Sequence, residues 1–227
     1  MKFIDRQFTD DPTYGVLRMT KFLKRKKFLI GKDKVRTLMR KMGLQAIYPK
    51  RKIQCTTKGK ESKHPYLLKN LEVHRPNQVW ASDITYIPMP RGFMYLVAIM
   101  DWYSRYVIAW QLSNSLETRF CLEALEDALL LGKPEIFNSD RGSQYTSQLF
   151  TQKLSDAGIQ ISMASRLWDN IFVERLWRTV KYEDIYLKEY GNGLTLFEGL
   201  RLYFQRYNQV RLHSSLDYQT PQEVYFG

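Results

Sequence analysis

Three acidic residues, Asp83, Asp140 and Glu174, stand where a carboxylate is costly or conspicuous. Asp83 interrupts VWASDITYIP, an alternating run rich in β-formers, and therefore shares a strand face with Val79, Ala81, Thr85 and Ile87. A carboxylate on such a face needs a cation or a basic partner. Asp140 follows a short predicted strand over 135–139 and precedes RGSQ. That is the carboxyl end of a strand, where the sites of α/β folds collect. Glu174 lies on a predicted helix whose apolar face is Phe172, Leu176 and Val180, and its own stripe carries Asn170, Trp177, Arg178 and Lys181. Carboxylate oxygens hold hard divalent cations. Two such ions about 4 Å apart generate a nucleophile from water or a 3′-hydroxyl and neutralise the transition state of phosphoryl transfer on DNA. Three carboxylates suffice for that, one bridging both ions and two holding one each. Arg178 and Lys181, one and two turns beyond Glu174, would meet incoming phosphates. Taken singly these residues say little, because a strand-end Asp is commonly a turn residue and a helical Glu commonly a solvated charge. The combination is the specific signal.

The elements that must position this triple read as an α/β mixed sheet. Three strands, within 79–88, 93–101 and 105–113, form an antiparallel meander. A helix capped by Ser115 buries Cys121, Leu122, Leu125, Ala128 and Leu129 and ends at Gly132. After the strand that delivers Asp140 come a helix near 147–157, a strand over 159–163, and a helix capped by Asp169 or Asn170 that runs to about Tyr186. A last helix spans about 195–208. Ahead of the sheet, Asp11-Pro12 predicts a helix start, Gly31 a break, and Val35, Leu38, Met39 and Met42 the face of a second helix. This pair resembles a helix-turn-helix, with Arg36 and Arg40 as candidate DNA contacts.

Charge is distributed unevenly. Of 35 Lys+Arg and 23 Asp+Glu, residues 1–70 hold 20 and 5, a net of +15, whereas the remainder is near −3. A basic front on a nearly neutral body suggests a nucleic-acid-binding arm joined to a domain with another task. Residues 46–75 read as a basic linker in which Lys50, Arg51 and Lys52 lie along phosphates, or as a solvated connector. The longest apolar runs fall short of the roughly 20 residues that cross a bilayer. Cys55 and Cys121 offer no disulfide framework, and His64 and His74 with them do not match zinc spacing. Asp101 reads as a hairpin residue and His213 as a structural one, whereas Trp177 divides between packing and DNA contact.

WASDITYIP, GFMYLVAIMDWYSRYVIAW, NSDRGSQYTS and DNIFVERLWRTVKYEDIY resemble the catalytic core of bacterial insertion-sequence transposases related to retroviral integrases. PTYGVLRMTKFL through QAIYPK resembles that family's helix-turn-helix segment, and YNQVRLHSSLDYQTPQEVY its closing motif. The resemblance implies a ribonuclease H-like five-stranded fold divided as 1–45 (helix-turn-helix-like), 46–75 (linker), 76–190 (catalytic core) and 191–227 (helix and tail on the core). It also implies an Asp-Asp-Glu triad at Asp83, Asp140 and Glu174 using Mg²⁺ or Mn²⁺, which cuts and joins element ends and target DNA in a homo-oligomer. An upstream-frame helix-turn-helix and coiled-coil partner, and a bacterial cytoplasmic, nucleoid-associated location, follow from the same likeness. One departure stands out. The interval of 33 residues between Asp140 and Glu174 is about two shorter than the family's, and MASRLWDN lacks the usual glycines, a change expected either to shift Glu174 or to stiffen a loop that must open for DNA. A non-catalytic DNA-binding remnant is therefore the alternative, and a nuclease acting on RNA–DNA hybrids is a third reading.

Overall fold

The computed structural model describes residues 1–47, 64–164 and 167–227. Its centre is a five-stranded sheet in the order β3-β2-β1-β4-β5. Strands β1 (Val79–Pro88), β2 (Phe93–Asp101) and β3 (Val107–Ser113) form the antiparallel meander expected, and β4 (Ile136–Ser139) and β5 (Gln160–Met163) add to β1 in parallel. Asp101 closes the β2–β3 turn: its Oδ1 accepts from the Ser104 amide and hydroxyl at 2.7 and 2.6 Å, and its Oδ2 from the Asn77 amide at 2.8 Å. That is the hairpin role expected.

Alternation along β1 sends its two residue sets to different layers. Trp80 packs with α4 (Thr118–Leu131) and α5 (Gln148–Asp156) in a core that includes Phe120, Leu125, Phe137 and Phe150. Ala81 and Ile87 face the opposite layer, built from α6 (Ile171–Val180) and α8 (Gly193–Gln209), whose Leu176, Val180, Leu200 and Phe204 close that core. Asp83 shares their parity and so faces α6. The chain after α6 continues as a π-helical turn, Lys181–Ile185, and the short α7 (Tyr186–Lys188).

Ahead of the sheet stand α1 (Lys2–Asp10), α2 (Val16–Arg25) and α3 (Lys32–Lys41), with their own core of Ile4, Tyr14, Met19, Leu23, Val35 and Met39. The helix start expected at Asp11-Pro12 is not there. Asp11 ends α1, its amide donating to the Gln7 carbonyl at 2.8 Å, and its carboxylate pairs with Arg206 at 2.5 Å, so it is spent on a tertiary contact; α2 begins after Gly15. The nine residues of α1 escape the sequence reading because only Ile4 and Phe8 mark its apolar stripe. Ser115 likewise does not cap α4: its amide donates to the Ser113 hydroxyl at 3.0 Å, and the helix starts at Thr118 after Glu117. Gly43 does follow α3, at φ 67°, where glycine is favoured.

The described part of the basic linker is not a free connector. Leu68 is buried against Val79 and Ile136, and the Leu67 amide donates to the Ser162 hydroxyl of β5 at 3.0 Å. A short helix, α9 (Pro221–Phe226), ends the chain, capped reciprocally by Thr220 and Glu223. No helix among the described residues is long and apolar enough to cross a membrane.

Candidate active site

Parallel pairing of β1 with β4 matches Val79 to Ile136, Trp80 to Phe137 and Ala81 to Asn138. Continuing that register by two residues sets Asp83 level with Asp140, at the point where β4 ends. The third acidic residue comes from above. Glu174 sits in the first turn of α6, the helix that covers the Asp83 face.

Two buried amides fix where that helix begins. Asn170 donates through Nδ2 to the Ser82 carbonyl at 2.9 Å, and Asn138 donates through Nδ2 to the Asp169 carbonyl at 2.9 Å. Asn138 is held in turn by the Ser162 hydroxyl, which donates to its Oδ1 at 2.9 Å. The start of the Glu174 helix is thus tied to β1 one residue before Asp83, and to β4 two residues before Asp140. Asn170 was expected as a cap; it flanks the helix, but its side chain caps nothing and clamps β1 instead. Its Oδ1 is buried without a partner among the described residues. The sequence signal for Asn138 is a polar residue inside the short strand IFNS, which spacing to the carboxylates does not single out.

The helix is also turned relative to expectation. Its buried residues are Val173, Leu176, Trp177 and Val180, whereas Phe172 is only partly buried, stacked edge-on against Trp102 with ring centroids 4.7 Å apart. This rotation drives Trp177 into the sheet, where its Nε1 donates to Asp83 Oδ2 at 3.0 Å. Trp177 is therefore both packing and a hydrogen-bond donor to the carboxylate, a role that spacing alone does not reveal.

Electrostatics couple these groups. The Asp83 carboxyl is pushed up from 3.8 to about 7, chiefly by burial, then by the charge of Asp140, with Glu174 adding; the Ile84 amide and the Trp177 indole pull it partly back. Burial also raises Asp140, opposed by the Gly142 amide, which donates to its Oδ1 at 2.9 Å. A Cβ on Gly142 would lie 2.9 Å from that same oxygen, so any larger residue there would force the Asp140 carboxylate to shift. Burial raises Glu174. It lowers Lys181, against which the charge of Asp83 works. Behind Asp83, the hydroxyls of Ser82 and Tyr145 meet at 2.8 Å and close the sheet's other face.

Asp83, Asp140, Glu174 and Lys181 thus belong to one neighbourhood, although among the described residues no three acidic, His or Cys side chains close into a ready-made cation cage. Their chemistry nevertheless suits a cation: hard oxygen donors, one of them raised to about 7 chiefly by burial and further by its acidic neighbours. Arg178 lies on the exposed side of α6. Arg36 and Arg40 lie exposed on α3, among the three helices ahead of the sheet, and Arg36 pairs with Asp33 at 2.6 Å. Lys50, Arg51 and Lys52 lie outside the described residues.

Family models match in three stretches: an HTH-like domain over residues 1–52 and an integrase core domain over 73–166 and again over 157–221. Among curated proteins, the transposase for insertion sequence element IS629 of Shigella sonnei is 31% identical over 98% of this chain and 77% of its own length. The chain belongs to the insertion-sequence transposases. The IS904 transposase of Lactococcus lactis is also 31% identical, over 92% of this chain and 86% of that one. Solved structures share the transposase's fold. The HTLV-2 integrase catalytic core domain, in complex with magnesium, superposes with a TM-score of 0.55 at 24% identity, covering 66% of this chain and 97% of that one. A chain of the simian T-cell lymphotropic virus intasome in complex with PP2A regulatory subunit B56 gamma reaches 0.60 at 17% identity, over 94% and 71%. The architecture is the ribonuclease H-like mixed sheet expected.

Proposed function

We propose that this transposase cleaves and joins DNA by metal-dependent phosphoryl transfer at Asp83, Asp140 and Glu174. One observation carries the reading: burial and the charges of Asp140 and Glu174 hold the Asp83 carboxyl near 7, at the level of the sheet where β4 ends. An acidic cluster this poorly compensated is suited to divalent cations, and Mg²⁺ or Mn²⁺, two per site, match its oxygen donors. When bound, the ions would supply a nucleophile at neutral pH and neutralise charge on the scissile phosphate. Magnesium in the HTLV-2 integrase core is in line with this assignment.

The protein's own groups have distinct duties in this reading. Trp177 holds one Asp83 oxygen so that the other is presented to the site. Asn138 and Asn170 fix the start of the Glu174 helix. Lys181, beside Asp83, and Arg178, one turn beyond Glu174, draw DNA phosphates toward the carboxylates. Arg36 and Arg40 on the three-helix unit, with Lys50, Arg51 and Lys52, contact DNA away from the chemistry. The working division is 1–45 for DNA binding, 46–75 as linker, 76–190 as catalytic core and 191–227 packing on it. Element ends and target DNA are the partners, brought together by a homo-oligomer.

The test is strand transfer with Mg²⁺ and oligonucleotides carrying the flanking element ends. Wild type should join ends to target, and Asp83→Asn, Asp140→Asn and Glu174→Gln should each lose at least about a hundredfold. Equal behaviour of wild type and the three variants would leave a DNA-binding remnant, and a preference for cleaving RNA–DNA hybrids would indicate a general nuclease.

A further inference from the structure

Arginines from four separate parts of the chain line one small cavity of about 180 Å³. Arg18 comes from α2, Arg105 from the β2–β3 turn, Arg175 from α6 and Arg211 from the segment after α8; His213 and Ser214 complete the wall. Arg211 is accounted for, since it donates to Glu183 at 2.6 and 2.8 Å. The other three form no ion pair among the described residues. Arg18 reaches only the Thr13 hydroxyl, at 3.5 Å, and lies over the Tyr14 ring. Arg105 donates to the Tyr103 carbonyl at 3.2 Å, and its guanidinium lies 3.3 Å from the Phe172 ring centroid. Arg175 approaches the same ring at 6.0 Å.

Gathering these cations is unfavourable by itself. Burial lowers Arg18 and Arg105, the latter to about 10; Arg211 pushes Arg18 further down against the pull of Glu183 and Asp11, and Arg175 adds to the lowering of Arg105 against Tyr207 and Asp101. His213 falls well below its ordinary range through burial and the charges of Arg211, Arg18 and Arg105, so it stays neutral. Arg105 holds its place at φ 64°, a conformation non-glycine residues rarely adopt. Strain and like charge concentrated in one place call for an anion. The cavity also adjoins a second of about 410 Å³ that shares Arg105, Phe172 and Ser215 and is walled by Trp102 and Tyr103. A lone ion needs no such extension, whereas a nucleic-acid strand uses a basic pocket that leads to aromatic rings.

We propose that the pocket of Arg18, Arg105, Arg175 and Arg211 seats a backbone phosphate of DNA, as a holding site separate from the carboxylates and on the neighbouring flank of α6. The proposal rests on the reading that the chain handles DNA, but not on its chemistry. Guanidinium forks are suited to two phosphate oxygens at once.

Fluorescence anisotropy of the full chain with element-end duplex, in EDTA and across a salt series, tests it without catalysis. Arg175→Gln and Arg18→Gln should each weaken binding about tenfold and lower the slope of log affinity against log salt by about one. Arg175→Lys, which keeps the charge and loses the fork, should restore the slope but only part of the affinity. Arg175 is exposed and, among the described residues, its guanidinium touches only the Phe172 ring, at 6.0 Å, so its substitution should leave the melting temperature nearly unchanged; Arg18→Gln is the second variant. Wild-type slope and affinity in both glutamine variants would overturn the pocket while leaving DNA handling intact. Failure of the wild type to bind DNA would remove both. Inorganic phosphate should raise the melting temperature of wild type more than of Arg175→Gln; such stabilisation with no change in the DNA slope would assign the pocket to a free anion and also overturn the proposal.

Discussion

If Asp83 is held near 7 by its surroundings, neutralising it should stabilise the metal-free protein. The sign follows from linkage. A carboxyl whose pKa is higher folded than unfolded binds its proton more tightly in the native state. Its favourable contribution is complete below the unfolded value of 3.8 and is lost as pH rises toward about 7, beyond which the full cost of the buried charge remains. Asp83→Asn imitates the protonated form and escapes that loss. The shift corresponds to a variant advantage that grows by about 2–3 kcal/mol between pH 5 and pH 8. Urea denaturation of both proteins in EDTA at several pH values measures it. Adding Mg²⁺ at pH 8 should then stabilise wild type and not the variant, because ligand binding to the native state alone raises its stability. A stability difference that stays constant from pH 5 to pH 8 would refute the claim that burial and neighbouring charge raise the Asp83 carboxyl.

Three further outcomes follow from particular contacts. Trp177→Phe keeps the packing and removes the indole donor to Asp83, so the alkaline rise of strand transfer should move up by as much as about one pH unit, read from a rate profile; an unmoved profile would confine Trp177 to packing. Arg211→Met strands the buried Glu183, which also accepts from Thr13 at 2.8 Å and from Tyr203 at 3.2 Å, and should destabilise the fold by about 3–5 kcal/mol in urea titrations. Much of that loss should return in Arg211→Met/Glu183→Gln, and a loss below about 1 kcal/mol would contradict the burial of the pair. Gly142→Ala would put a methyl group 2.9 Å from Asp140 Oδ1, and Mg²⁺-dependent strand transfer should fall at least about tenfold while far-UV circular dichroism stays unchanged.

Sequence periodicity carried the sheet. Alternation in VWASDITYIP assigned Asp83 a face, and the apolar run before Asp140 assigned it a strand tip, because strand periodicity and chain punctuation are local properties. Local signals failed where the expected capping residue was held by another partner, distant or local. Asp11 had the look of a helix cap and is held by Arg206, 195 positions away in the chain; Ser115 bonds to Ser113 and leaves α4 to begin at Thr118. The three carboxylates were legible as candidates. Their common neighbourhood depends on the β1–β4 register, on Asn138 and Asn170 anchoring α6, and on the rotation of that helix that turns Trp177 inward. None of these is encoded in spacing, since each is a pairing between segments whose geometry exists only once the layers have packed. The arginine cavity makes the same point most sharply: Arg18 and Arg211 are unremarkable basic residues in the chain, and only folding brings them to one wall.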